Sequence, residues 1–241
     1  MTDRWIVAGS TQFARDPEGY RDQVPGPVFD VAADLAGAPG RPKLTFVTTA
    51  GPDSDAYTGR VHTAFTGSRF DVQVLRLMPM PNVPDPTALL LESDVVWVGG
   101  GSVAGLLALW RLHGLDTAMR AAWEAGVVLG GISAGSLCWH VGGPTDSFGP
   151  ELRPITNGLA LLPYGCGVHY DSEEQRRPLL HSLVADATLP LSYATDDGTA
   201  LVYRGTEVHE AIADRPGANA YRIELVGGTV VETVITARLV G

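Results

Sequence analysis

Cysteine is scarce in this chain: Cys138 and Cys166 are the only two. Two thiols cannot make the framework of a disulfide-stapled secreted scaffold. Basic residues are also in deficit, 17 Lys and Arg against 27 Asp and Glu, for a net charge of −10 and a pI near 4.9. Nucleic acids and anionic membranes are bound through basic surface, so neither is expected as a partner. No uninterrupted apolar run reaches membrane-spanning length. The start Met1-Thr2-Asp3-Arg4 has neither the basic nor the apolar region of a signal peptide, so the expected compartment is the cytoplasm, with both thiols reduced. The phosphate-loop patterns Gly-x-x-x-x-Gly-Lys-Ser/Thr and Gly-x-Gly-x-x-Gly are missing too.

What the chain does have is apolar material, 45% of 241 residues, enough for one substantial core. It reads as a single domain, 1–241. Short β-branched runs at Trp5 to Ala8, Leu44 to Thr48, Val72 to Leu77, Val95 to Val98 and Val127 to Leu129 alternate with helical or turn segments. This predicts an α/β fold, a mostly parallel sheet with helices on both faces. Ala104 to Trp110 and Leu115 to Ala125 read as helices broken at His113-Gly114, and the four prolines of Met78 to Pro86 mark a loop. Later strands at Leu201 to Tyr203, Ala220 to Val226 and Thr229 to Thr236 read as an antiparallel finish on the same sheet. Arg15 to Gly26 is polar and reads as a mobile loop. The apolar segment Leu159 to Pro163 would allow a homodimer.

The most telling stretch is Val127-Val128-Leu129-Gly130-Gly131-Ile132-Ser133-Ala134-Gly135-Ser136, the layout of a nucleophile elbow. A serine on a sharp strand-to-helix turn needs small neighbours, here Gly131, Ala134 and Gly135. Strand Asp94 to Val98 ends in Gly99-Gly100-Gly101-Ser102, and both strand ends belong at the carboxyl edge of a parallel sheet, where ligands bind. Gly99 or Gly100 could therefore join the Ala134 N–H in an oxyanion hole.

Such a serine needs an imidazole base and a carboxylate to orient it. Of six histidines, His62 and His113 lie in helical segments before the elbow. His140 lies on the elbow helix, His181 in an amphipathic segment and His209 in a short strand. His169 stands out, in Cys166-Gly167-Val168-His169-Tyr170-Asp171, where an apolar segment meets an acidic loop. Asp146, Asp171, Glu173, Asp196 and Asp197 are all eligible as the acid, and the residues alone do not rank them.

Taken together these pieces resemble the peptidase E family of serine peptidases, which includes aspartyl dipeptidase and, more distantly, cyanophycinase. The resemblance runs from Val95 to Tyr203. It rests on Val98-Gly99-Gly100-Gly101, Ala108-Leu109-Trp110-Arg111, His113-Gly114-Leu115, Ala122-Trp123-Glu124-Ala125-Gly126, Gly131-Ile132-Ser133-Ala134-Gly135, Thr145-Asp146-Ser147-Phe148-Gly149, His169-Tyr170-Asp171-Ser172-Glu173 and Asp196-Asp197-Gly198-Thr199-Ala200-Leu201. It implies a fold like that of class I glutamine amidotransferases, with Ser133 as nucleophile and His169 as base. The third member would come from the segment before Thr199; family members carry glutamate there, and here the residue is Asp197, with Asp146 as its rival. Ser102 stands where relatives often carry asparagine. The implied activity is that of a serine exopeptidase acting on short peptides through an acyl-enzyme, with no metal or organic cofactor required. A preference for N-terminal aspartate would call for a cation, and Arg176 and Arg177 are the nearest to His169, though they also fit the solvated start of a helix. Two other readings are an α/β-hydrolase-type esterase, whose triad order Ser, acid, His would leave His209 as base, and a catalytically inactive amidotransferase-like binding module.

Overall fold

The computed structural model describes residues 3–38 and 40–241. The first half of the chain lays down β1 (Trp5–Gly9), β2 (Phe13–Ala14), β3 (Val24–Pro25), α1 (Pro27–Ala36), β4 (Lys43–Val47), α2 (Asp55–Phe65), β5 (Asp71–Leu75), α3 (Pro86–Leu91), β6 (Val95–Val98), α4 (Val103–His113) and α5 (Leu115–Ala125). The second half adds β7 (Val128–Ile132), α6 (Ala134–Leu137), β8 (Gly143–Thr145), β9 (Arg153–Ile155), β10 (Gly165–Gly167), α7 (Arg176–Ala185), β11 (Ser192–Thr195), β12 (Thr199–Arg204), β13 (Glu207–Ala213), β14 (Asn219–Val226), β15 (Thr229–Thr236) and β16 (Arg238–Leu239). Among the described residues no helix is long and apolar enough to cross a membrane.

The main sheet has the order β16-β13-β12-β1-β7-β6-β4-β5, with β1, β7, β6, β4 and β5 all parallel and β12 antiparallel beside β1. Because successive strand residues face opposite sides, Val95 and Trp97 of β6 pack with α1 and α2, while Val96 and Val98 pack with α4 and α5. Both faces are buried, which is why the parallel strands read as continuous apolar runs. Gly114, in the left-handed region at φ 72, separates α4 from α5 as expected.

Two sequence expectations are corrected. β14 and β15 do not extend the main sheet: with β10 and β11 they form a second sheet, ordered β10-β11-β14-β15. Its β10–β11 pair is parallel, and α7 covers it through Leu180, Leu183 and Val184 packed on Ala194 and Ile223. The segment from Arg15 to Gly26 is tied down by buried Asp16, whose carboxylate accepts from the Glu18 and Arg21 amides and from Arg21 Nε. Within the segment Leu159 to Pro163, Leu161 and Leu162 are core residues, 3% and 0% exposed, while Ala160 and Pro163 are exposed.

β7 runs on through both of its glycines to Ile132 and delivers Ser133 into a turn at φ 56, ψ −115, a region that side chains rarely occupy. The Ser133 N–H donates to Gly9 O at 3.0 Å, and Ser133 O accepts from the Ser136 and Leu137 amides at 2.9 Å each. The turn sits directly on β6: a Cβ at Gly135 would be driven into the Val98 carbonyl, and one at Gly131 into the Gly135 carbonyl. A Gly135→Ala substitution is accordingly expected to cost about 1–3 kcal/mol by overpacking. That is a fall of roughly 2–12 °C in Tm for a chain of this length. Thermal unfolding followed by circular dichroism checks it, and an unchanged Tm would contradict the seating of the elbow on β6.

Candidate active site

Parallel pairing of β7 with β6 and β1 puts Ser133, Gly100 and Ser10 side by side at one sheet edge. A Cβ built on Gly100 would lie 3.4 Å from Ser133 Cβ, so the Gly100 backbone flanks the serine. The Gly99 N–H is spent on Val47 O at 3.0 Å inside the sheet, so it is not free to meet a substrate oxyanion. Ser102 caps α4, its Oγ accepting from the Gly105 amide at 3.1 Å; asparagine serves equally well at such a position.

Ser133 opens onto a cleft of about 440 Å³ that His169, Gly100, Gln12, Gln23, Tyr57 and Arg60 also line. Trp97 Nε1 donates to Gln12 Oε1 at 3.3 Å, which aims Gln12 Nε2 at the Tyr57 hydroxyl. Burial raises the Tyr57 pKa against the smaller opposing pulls of Gln12, the Gly100 amide and Arg60, so the phenol stays protonated.

The second sheet explains how a histidine 36 positions after the serine arrives there. β10 and β11 run parallel in the register Gly167↔Ala194, so the chain leaves both at the same end, two residues before His169 and Asp197 respectively. His169 Nδ1 lies 2.6 Å from Asp197 Oδ1. A carboxylate only accepts, so Nδ1 carries the proton and donates, which leaves Nε2 with the lone pair that a general base needs. Among the described residues no hydrogen bond joins Ser133 Oγ to His169 in this structure; catalytic contacts commonly tighten only when substrate is bound.

A residue that sequence reasoning missed holds these segments together. Ser10, 5% exposed at the end of β1, accepts the His169 N–H on its Oγ at 3.0 Å and donates from it to Thr195 O at 3.2 Å. Its backbone N–H donates to Thr199 O at 2.7 Å, and its O accepts from the Gly198 amide at 2.9 Å. His169 itself is held at φ 53, a left-handed conformation stabilised by these contacts. Nothing in the local pattern Ala8-Gly9-Ser10-Thr11 distinguishes it, because its partners lie 159 or more positions away.

The other candidates are occupied elsewhere. Asp146 is exposed on the loop after β8, and the His169 ring nitrogen is bonded by Asp197. Asp171 accepts the Asp197 N–H, Glu173 pairs with Arg176, and Asp196, buried with its pKa raised by that burial, accepts from the Asn219 amide and the Tyr221 hydroxyl. His62 and His113 are exposed on their helices, His181 bonds Glu232, and His209 stands edge-on to Trp5, which leaves the esterase order without its base. His140 is buried, bonded to Ser136 O at 2.8 Å. Arg176, 3% exposed, is bound to Glu173 and Pro144 O, while Arg177 pairs with Glu232 over the Tyr170 and Tyr221 rings. Neither lines the cleft. The cation that does is Arg60, on α2, which has no ion-pair partner among the described residues. Both thiols are buried with raised pKa values, Cys166 at about 12, so neither competes as nucleophile.

A model of peptidase family S51 matches residues 26–211. The chain belongs to peptidase family S51. It is a serine-type peptidase, as the resemblance to peptidase E implied. An uncharacterized peptidase of Bacillus subtilis (strain 168) is 37% identical to this family S51 peptidase over 201 residues, 83% of this chain and 86% of its own. Peptidase E of Streptomyces coelicolor (strain ATCC BAA-471 / A3(2) / M145) is 33% identical over 166 residues, 68% of this chain and 63% of its own. Two solved structures share the fold. A peptidase from an acI-B1 Actinobacterium superposes with a TM-score of 0.69 at 15% identity, over 98% of this chain and 95% of its own. A candidate peptidase E of Listeria monocytogenes EGD-e gives 0.62 at 17% identity, over 88% and 99%.

Two outcomes follow for this family S51 peptidase. Asp197→Asn should lower kcat by about 10³- to 10⁴-fold by releasing the histidine tautomer, whereas Asp146→Asn should leave steady-state rates within about twofold, its side chain being exposed and the histidine being bonded to Asp197. Equal losses in both variants would contradict the assignment. Burial also lowers the His140 pKa from 6.5 to about 4, against a smaller opposing effect of the Ser136 carbonyl. Between those values the unfolded chain binds a proton that the folded one refuses, so stability falls as pH drops from 6.5 to 4, by on the order of 3 kcal/mol. Urea unfolding at pH 7 and pH 4 should show this loss reduced in His140→Asn; an identical pH dependence in both proteins would refute it.

Proposed function

We propose that the chain hydrolyses short peptides from their amino end, as a dipeptidase E-like exopeptidase, through an acyl-enzyme on Ser133. The observation that carries this is the His169–Asp197 bond of 2.6 Å beside a strained serine in the same cleft. Ser133 Oγ attacks the amide carbon while His169 Nε2 takes its proton and passes it to the leaving amine. The amides of Gly100 and Ala134 hold the developing oxyanion, and water then releases the acyl group. A cleft of about 440 Å³ falls in the range of small-ligand sites, about 300–1,000 Å³, which suits a peptide of a few residues.

The finer reading is a preference for an acidic first residue, with Arg60 in place of Arg176 and Arg177 as the cation that meets it. A guanidinium can bind a carboxylate through two parallel hydrogen bonds, and this one has no acidic partner to displace among the described residues.

The purified protein should be labelled by a fluorophosphonate and should cleave short peptides, and Ser133→Ala should abolish both. Labelling that persists in the variant would sink the nucleophile assignment. With Asp-first and neutral-first dipeptides compared, Arg60→Ala should lose about 10- to 100-fold in kcat/KM on the acidic ones, the cost of a charge-assisted hydrogen bond. Equal losses on both sets would remove Arg60 from substrate selection.

A further inference from the structure

Asp197 is gripped at three points. Its side chain bonds His169, its N–H donates to Asp171 Oδ1 at 2.8 Å, and its carbonyl accepts from Arg215 Nε at 2.6 Å. Arg215 closes the ring, since its Nη2 is ion-paired to the other oxygen of Asp171. Asp171 belongs to the same loop as His169, two residues further on, so the base and the acid are linked twice over. Arg215 enters from the turn after β13, which is itself pinned by the Asp214 amide on Gly198 O at 2.8 Å.

We infer that Asp171 and Arg215 form a clamp that positions the Asp197 carboxylate for His169. The inference rests on the proposed triad and adds two residues that act through it. An aspartate carboxylate stands only two rotatable bonds from its backbone, so any shift of the main chain moves the carboxylate almost in full. The peptide units on either side of Asp197 lie between two sheets, after β11 and before β12, and belong to neither ladder. The clamp supplies the two hydrogen bonds that a strand would otherwise have provided.

Its members are too exposed for a role in stability alone: the side chains of Asp171, Arg215 and Asp197 are 34%, 48% and 40% accessible, and exposed ion pairs contribute little. Arg215 has an electrostatic part as well. Asp171, Asp196 and Asp197 crowd one turn, and the guanidinium offsets that accumulation on the side facing solvent. Burial pushes the Asp171 carboxyl up, but the Asp197 amide and Arg215 outweigh it and hold its pKa below the usual range, so it stays ionised and paired.

Four variants test the clamp: Asp171→Ala, Asp171→Asn, Arg215→Ala and Arg215→Lys. The two alanine variants should lose on the order of 10- to 100-fold in kcat with KM little changed, because a misplacement of about 1 Å can cost about 10²-fold. Asp171→Asn keeps an acceptor for the Asp197 N–H and should retain most activity. Arg215→Lys keeps the charge, cannot bridge two acceptors as the planar fork does, and should fall between. The NMR signal of the His169 Nδ1 proton, which the short bond to Asp197 moves far downfield, reads the same displacement without any turnover. Its loss or upfield shift in the alanine variants, with the native position kept in Asp171→Asn, supports the clamp even if Ser133 proves unreactive, which would overturn the proposed function alone. Folded alanine variants with the native Nδ1 proton signal would overturn the clamp, whatever their activity.

Discussion

The site depends on the carboxyl end of β1. Gly9 O receives the Ser133 amide, and the very next residue, Ser10, holds the His169 amide on its side chain and the Gly198–Thr199 backbone on its own N–H and carbonyl. One dipeptide therefore fixes Ser133, His169 and the segment that carries Asp197, although they come from three distant parts of the chain. Ser10 is buried and fully bonded, so removing its hydroxyl leaves the His169 amide without a partner in a low-dielectric environment, where an orphaned group is costly.

That constraint explains how two residues can be held in unfavourable backbone conformations at once. Ser133 at φ 56 and His169 at φ 53 each carry strain of order 1–3 kcal/mol. Each is determined from both sides: Ser133 through Gly9 O and the Ser136 and Leu137 amides, His169 through Ser10 and the Ser172 and Glu173 amides. The strain turns both side chains into one cleft instead of along their own segments. It also explains why small residues crowd the elbow, since Gly131 and Gly135 leave no room for a Cβ against backbone carbonyls.

Much of this was legible in the sequence, for physical reasons that differ between elements. The parallel strands are buried on both faces and so announce themselves as apolar runs. The Gly99 to Gly101 and Gly131 to Gly135 clusters betray places where backbone meets backbone. The serine motif and the acid-rich loop after His169 are local signals. Long-range pairing is not local, and there the reading broke down. The strands β14 and β15 have the alternation of any half-exposed antiparallel pair, which does not say which sheet they join. The parallel partnership of β10 with β11 is invisible in Gly165-Cys166-Gly167. Arg176 and Arg177 looked like substrate ligands by proximity to His169, yet a helix turns them toward Glu173 and Glu232. Arg60, from a helix more than seventy positions before the serine, had no sequence mark to set it apart from other surface arginines.

The proposed chemistry requires a covalent acyl intermediate on Ser133. Rapid-quench mass spectrometry of the intact protein during turnover of a slowly deacylating peptide ester tests it most directly, with tryptic mapping of any adduct. A mass increase equal to the acyl group is expected, carried by the fragment that contains Ser133. Steady turnover with no adduct at any quench time, or an adduct on Cys138 or Cys166, would contradict it.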